Sequence, residues 1–205
     1  MASTPDTPPP LILASASSAR AMLLRQAGIE FTTVPADIDE AAIKQEYLTA
    51  GRDVTACAEA LAEAKAKAVA ALHPDAFVVG ADQILVADGE WFDKPRDLAE
   101  AAEQLRCLRG REHRLVTACC VCQAGKTLWR ALSVPSLMMR QFGEAFLARY
   151  IAAEGKAVLG SVGAYRLEGR GVQLFARIEG DHFAILGLPL LELLGFLRER
   201  GVMGD

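Results

Sequence analysis

A carboxylate in the middle of an apolar run has to be held by something, and the stretch Phe77–Ala87 contains one, Asp82. Strand sequences are depleted in Asp, and a buried carboxylate without a partner costs several kcal/mol or takes up a proton. A divalent cation or a cationic side chain would hold it; a structural hydrogen bond would do so without any chemistry. Lys65 poses the complementary question. On an alanine-rich helix expected over Val54–Leu72 it lies four residues from Leu61 and Val69, on the apolar stripe, whereas Lys67 pairs with Glu63 at ordinary exposed spacing. A lysine on a buried face needs a counter-charge, or it snorkels to the rim.

Arg20 is the third misfit. Helix N-termini favour acids because their backbone dipoles carry about half a positive charge, yet no acid occurs between Leu11 and Ile29, and Arg20 follows Ser15-Ala16-Ser17-Ser18 after a single alanine. An anion docked on the serine turn would reconcile this, taking helix N–H groups, hydroxyls and guanidinium together. The alternative is a serine that caps the helix and a solvated Arg20. Glu40, in Asp37-Ile38-Asp39-Glu40, reads equally as a helix-start acid. Lys94, locked against Pro95, is by itself a turn lysine able to reach the same end of the sheet.

The elements that must position these groups follow from periodicity. Leu11–Ala14 is a short strand entering the serine turn, with a helix up to Gly28. Phe31–Pro35 reads as a second strand, and Asp39 and Asp53 as caps of the next two helices. Phe77–Ala87 turns at Asp88-Gly89 and returns through Trp91 and Phe92. Asp97 with Glu100 resembles a capping box before a helix closed by Gly110. Strands are expected at Leu115–Cys122, Ser133–Met139, Val172–Ile178 and Ala184–Leu186, and helices at Glu144–Ala153 and Leu190–Arg200. The class is α/β with a mixed sheet.

Composition narrows the functions. The net charge of −4 argues against bulk nucleic acid as partner, while leaving a local basic site for a small phosphate ligand. No run reaches the roughly 18 apolar residues of a membrane span, so a soluble protein is expected. MASTPDTPPP has neither the basic nor the apolar region of a secretory signal; residues 1–10 read as a disordered tail and 11–205 as a single domain. Five cysteines without a signal fit a reducing compartment, the cytoplasm. Cys119 and Cys122 form a C-x-x-C inside a strand pattern, where positions three apart face opposite ways, so buried packing is expected of them. His73, His113 and His182 show no ligand or triad spacing and read as structural or surface residues. P-loop, dinucleotide and zincin motifs are absent.

Together the pieces resemble the Maf family along nearly the whole chain from Leu11 onward. LILASASSAR is similar to its opening L-A-S-x-S-P-R-R, Asp39-Glu40 to its D-E, Lys65-Ala66 to its K-A and Gly80-Ala81-Asp82-Gln83 to its strand motif. Lys94-Pro95, Gly163-Ala164-Tyr165 through Glu168-Gly169, Gly180-Asp181 and Gly187-Leu188-Pro189 complete the order. Ser18 stands where the family usually has proline, and Ala19 where it has arginine or an aromatic residue. The resemblance implies an elongated mixed β-sheet flanked by helices, Maf and ITPase-like, with two lobes and a nucleotide cleft. It implies a nucleoside triphosphate pyrophosphatase that needs a divalent metal, Mg²⁺ or Mn²⁺. Ser15 and Arg20 then bind phosphate and Lys65 and Lys94 are catalytic cations. Asp82 is general base or, with Glu40, metal ligand. Gln83 with Glu168 resembles the 7-methyl-GTP type, whereas threonine with glutamine marks the dTTP and UTP type. A homodimer is among the expected states. The alternative is a nucleotide-binding regulator of septum formation without catalysis, for which Asp82 would have no use. On the sequence alone, Lys65→Ala is expected to leave stability unchanged or improved, since it removes a cation from an apolar stripe.

Overall fold

The structure is a computed structural model describing residues 9–204. Most of the expected tail lies outside the described residues, but Pro10 does not behave as tail: its carbonyl accepts from Phe77 N at 2.9 Å, extending the first strand pairing.

β1 (Leu11–Leu13) leads into α1 (Ser18–Gln26). The Ser17 hydroxyl caps α1 by accepting from Arg20 N at 3.3 Å, and Gly28 closes the turn after it at φ 73°. β2 (Thr32–Thr33) is shorter than the five residues expected. α2 (Glu40–Thr49) starts where Asp39 accepts from Ala42 N at 2.9 Å. α3 (Val54–Ala70) follows, although Asp53 does not cap it; its carboxylate accepts from the Thr55 hydroxyl instead. β3 (Phe77–Ala87) and β4 (Glu90–Phe92) form the expected hairpin, with Asp88 and Gly89 both at positive φ, as a two-residue primed turn requires.

α4 (Leu98–Leu108) is capped by Asp97, which accepts from Glu100 N at 2.8 Å. Glu100 does not return the bond as a capping box would, but binds Arg96 N and Nε. β5 (Glu112–Gln123) is longer than expected, and β6 (Lys126–Ser133) was not anticipated: its side chains are mostly half-buried, without clean alternation. β7 (Ser136–Met139) and α5 (Glu144–Glu154) follow. Three 3₁₀ turns then lead to β8 (Phe175–Glu179), so the strand expected from Val172 begins three residues later. The strand expected at Ala184–Leu186 is instead a short helix, α6 (His182–Ile185). Asp181 caps it, accepting from Phe183 N and Ala184 N, and local capping decides a stretch this short. α7 (Leu190–Glu199) ends the fold.

Among the described residues eight strands form one mixed sheet in the order β2-β1-β3-β5-β7-β8, with β4 on β3 and β6 on β5. β1 pairs parallel with β2 and β3, while β7 pairs antiparallel with β5 and β8. The chain divides into two compact units. The first comprises the described residues up to Asp82, Ala118–Leu132, and those from Gly187 on. Its core gathers Leu13, Leu24, Leu61, Val79, Leu193 and Leu197, with Phe196 stacked on Trp129 and edge-on to Phe77. The cysteines are free, and all but Cys107 are buried, as packing residues should be.

The second unit, Gln83–Thr117 and Ser133–Leu186, packs Leu85, Leu105, Leu108, Leu115, Leu137 and Met139 against α5 and the 3₁₀ turns. His113 is structural here. Its Nε2 shares a 2.9 Å hydrogen bond with the Tyr165 hydroxyl, and burial pushes its pKa down to about 4, so it sits neutral. Among the described residues no helix is long and apolar enough to cross a membrane.

Candidate active site

The site begins with an absent atom. Gly80 lies on β3 where α3 crosses it, and a Cβ there would come within 2.8 Å of both the backbone nitrogen and the Cβ of Ala66, closer than real atoms approach. Glycine therefore lets the helix lie directly on the strand. That approach brings Lys65, one position before Ala66, to Asp82, two positions after Gly80. Lys65 Nζ donates to Asp82 Oδ1 at 2.6 Å, with side-chain exposures of 10% and 7%. The apolar stripe and the misplaced strand carboxylate answer each other. Gly80→Ala should force α3 off β3, costing about 1–3 kcal/mol and lowering activity; thermal melting with a turnover assay would show both, and an unchanged melting temperature would refute the close-packing account.

Lys65 Nζ also reaches Glu40 Oε2 at 2.9 Å, from the first residue of α2, where the side chain is 47% exposed. One ammonium thus bridges the two carboxylates that the resemblance offers as metal ligands. The second oxygen of Asp82, Oδ2, is buried without a hydrogen-bond partner. An orphaned buried acceptor of this kind costs about 1–3 kcal/mol unless something arrives to satisfy it.

Arg20 and Ser15 belong to the same unit. Ser15 is buried, and its Oγ accepts from Ser17 N at 3.1 Å and from Arg20 Nη1 at 3.2 Å. Arg20 Nε donates to the carbonyl of Gly187 at 2.9 Å. Gly187 adopts φ 105°, which favours glycine, and this carbonyl is an anchor that sequence reasoning did not single out; the glycine in Gly187-Leu188-Pro189 was its only trace. Burial lowers the Arg20 pKa, and the Asp82 and Glu40 carboxylates, with the Cys119 thiol, draw it back up. Ser17 caps the helix, as the capping alternative expects, but Arg20 is partly buried and bonded to Ser15 and Gly187 instead of solvated. Two of the five guanidinium donors are committed to the chain, which leaves others for an anion.

The remaining sequence-derived candidates lie in the second unit. Gln83 Nε2 donates to Thr117 Oγ1 and Ala184 O, both at 2.8 Å, and to Ile185 O at 3.2 Å, so its Oε1 is the atom left to offer a ligand. Lys94 is exposed in the connection between β4 and α4. Glu168 lies in the segment between two 3₁₀ turns, where Arg166 Nε donates to its Oε1 at 3.1 Å. The structure therefore joins Glu40, Lys65 and Asp82 directly and fixes Ser15 to Arg20 beside them. Among the described residues no group of three or more His, Cys, Asp or Glu side chains is arranged to hold a metal.

A family model described as Maf-like protein matches residues 10–200. A nucleoside triphosphate pyrophosphatase of Granulibacter bethesdensis is 53% identical over 189 residues, covering 92% of this chain and 96% of its own length. A nucleoside triphosphate pyrophosphatase of Paramagnetospirillum magneticum is 50% identical, covering 93% and 98%. The chain is similar also to a 7-methyl-GTP pyrophosphatase of Rhizobium etli, 47% identical over 95% of this chain and 98% of the relative.

Proposed function

The chain belongs to the Maf-like protein family, and from that premise we propose how its residues carry out the hydrolysis of a nucleoside triphosphate to the monophosphate and pyrophosphate. The observation that carries the assignment of roles is the buried Lys65–Asp82 pair with Asp82 Oδ2 left over. Lys65 occupies Oδ1 and thereby fixes which oxygen faces the reaction. Oδ2 takes the proton from a water that attacks the α-phosphorus. The new bond joins the water oxygen to that phosphorus, and the bond to the bridging oxygen breaks, releasing pyrophosphate. Arg20, braced by Gly187 and Ser15, meets the phosphate oxygens, with Lys94 as a further cation on the polyphosphate.

A divalent cation, Mg²⁺ or Mn²⁺, fits the donor set. The half-exposed Glu40 is a hard oxygen donor, and the orphaned Asp82 Oδ2 is a second one in the competing assignment in which it holds the metal instead of taking the proton; such ions bind through one or two carboxylates plus phosphate oxygens. When bound, it would neutralise phosphate charge. The reaction belongs with the cytoplasmic nucleotide pool. Pyrophosphate release from a panel of canonical and modified nucleoside triphosphates, with either metal, tests the reading; no release from any of them would overturn it.

The base assignment rests on Gln83 and Glu168, with Glu168 as the group that reads the donors of the base. Guanine presents two neighbouring donors, N1–H and the exocyclic amine, which one carboxylate accepts together, whereas thymine and uracil set acceptors against it. A 7-methylated guanine adds a positive charge. Guanine-type triphosphates are therefore expected to be hydrolysed about a hundredfold more efficiently than dTTP or UTP, and Glu168→Gln to narrow the gap, measured as kcat/KM ratios. Equal or better use of dTTP by the parent protein would sink the base assignment and leave the pyrophosphatase reading standing.

A further inference from the structure

Glu168 does not stand alone. Arg166 reaches its Oε1 through Nε at 3.1 Å and, through Nη1 at 3.5 Å, reaches Oε2 of Glu154 at the end of α5. The Glu154 side chain is only 8% exposed, and its other oxygen accepts from Arg170 N at 3.1 Å. A carboxylate so far withdrawn from water requires its cation. The backbone is closed around the arrangement as well: a Cβ on Gly171 would stand 2.7 Å from Arg166 N, and one on Gly169 would stand 3.2 Å from Glu154 Oε1. The guanidinium is thus held at one end by a buried acid and applied at the other to a single oxygen of Glu168.

We infer that Arg166, anchored by Glu154, is a positioning residue for base recognition, orienting the Glu168 carboxylate and partly neutralising it. The inference rests on Glu168 reading the base. One-sided contact at Oε1 turns the carboxylate without occupying both its oxygens, so Oε2 remains for a donor on the ligand. The partial neutralisation has a chemical consequence. A cationic base such as 7-methylguanine is drawn to the carboxylate but repelled by the guanidinium behind it, so Arg166 restrains the preference for the cationic over the neutral base.

The test compares KM and kcat for GTP, 7-methyl-GTP and dTTP in the parent chain, Arg166→Gln, Arg166→Lys and Glu168→Gln. Arg166→Gln is expected to raise the preference for 7-methyl-GTP over GTP by about fivefold, the effect of one partly exposed ion pair, and to do so through KM. Arg166→Lys, which keeps the charge, returns the ratio toward that of the parent. A purely structural role would lower kcat for all three substrates alike and would overturn the inference. An unchanged ratio in Arg166→Gln, with Glu168→Gln still altering guanine against thymine, overturns it while leaving the base assignment intact. No change in either variant removes both. Should the lone Glu154 carboxylate prevent Arg166→Gln from folding, the double variant Glu154→Gln/Arg166→Gln removes both charges and is read by the same ratio.

Discussion

Asp82→Asn will yield a folded protein with turnover lowered by about two to four orders of magnitude, the span expected when a general base is lost. The substitution keeps the shape of the side chain, and the amide oxygen can still accept from Lys65 Nζ, which retains Glu40 at 2.9 Å. The amide nitrogen must then occupy the place of Oδ2, which no donor of the protein reaches. An NH₂ group there cannot take a proton from water. It also leaves the buried Lys65 ammonium without the Asp82 charge, so a stability loss of about 1–3 kcal/mol is expected alongside the kinetic one. Circular dichroism with pyrophosphate-release kinetics separates the two effects. Near-normal turnover would mean that Asp82 is not the base.

Lys65→Met will destabilise the protein by about 3–5 kcal/mol, the usual cost of stripping the partner from a buried charge, and will reduce triphosphate turnover as well. This reverses what the sequence by itself suggests. Read as a cation on an apolar stripe, Lys65 looks dispensable for stability; placed 2.6 Å from a carboxylate that is 5% exposed, it is the cation bonded directly to that group. Glu40, about half exposed, contributes little to this balance because solvent screens it. Adding Asp82→Asn to Lys65→Met should recover a large part of the lost stability and none of the activity. Chemical denaturation of the parent, the two single variants and the double variant gives the coupling. Parent-like stability in Lys65→Met would show that the pair is not energetically a buried ion pair.

Asp82, Lys65 and Arg20 were legible because each breaks a local rule: an acid in a strand, a cation on a buried face, a basic residue in an acid-free first turn. The breach marks a residue without identifying its partner. Lys65 and Asp82 are 17 positions apart on different elements, and only the helix–strand approach at Gly80 brings them together. The Arg20 anchor is further still, a backbone carbonyl 167 residues away, and a carbonyl has no sequence signature. Long elements were legible as well: α3 and α7 from their helical spacing, and the β3 hairpin from a continuous apolar run ending in Asp88-Gly89. β6 escaped because half-buried side chains alternate weakly, and α6 was misread because four residues carry no period, so the Asp181 cap decided the outcome. The grip of Arg166 on Glu154 and Glu168 was invisible, since charged residues in turns do not announce which opposite charge they will meet.

The buried oxygen of Asp82 also bears on inhibitor design. A phosphate mimic aimed at Arg20 has to share a guanidinium already bonded to Gly187 and Ser15. A compound that sets one N–H donor against Asp82 Oδ2 instead meets an acceptor with no competing hydrogen bond. A hydrogen bond to a charged group is worth about 1.5–3 kcal/mol, roughly ten- to a hundredfold in affinity. A cationic amine in that position would engage the same carboxylate that Lys65 already holds through Oδ1, and resistance by substitution at residue 82 would come only with loss of the proposed base.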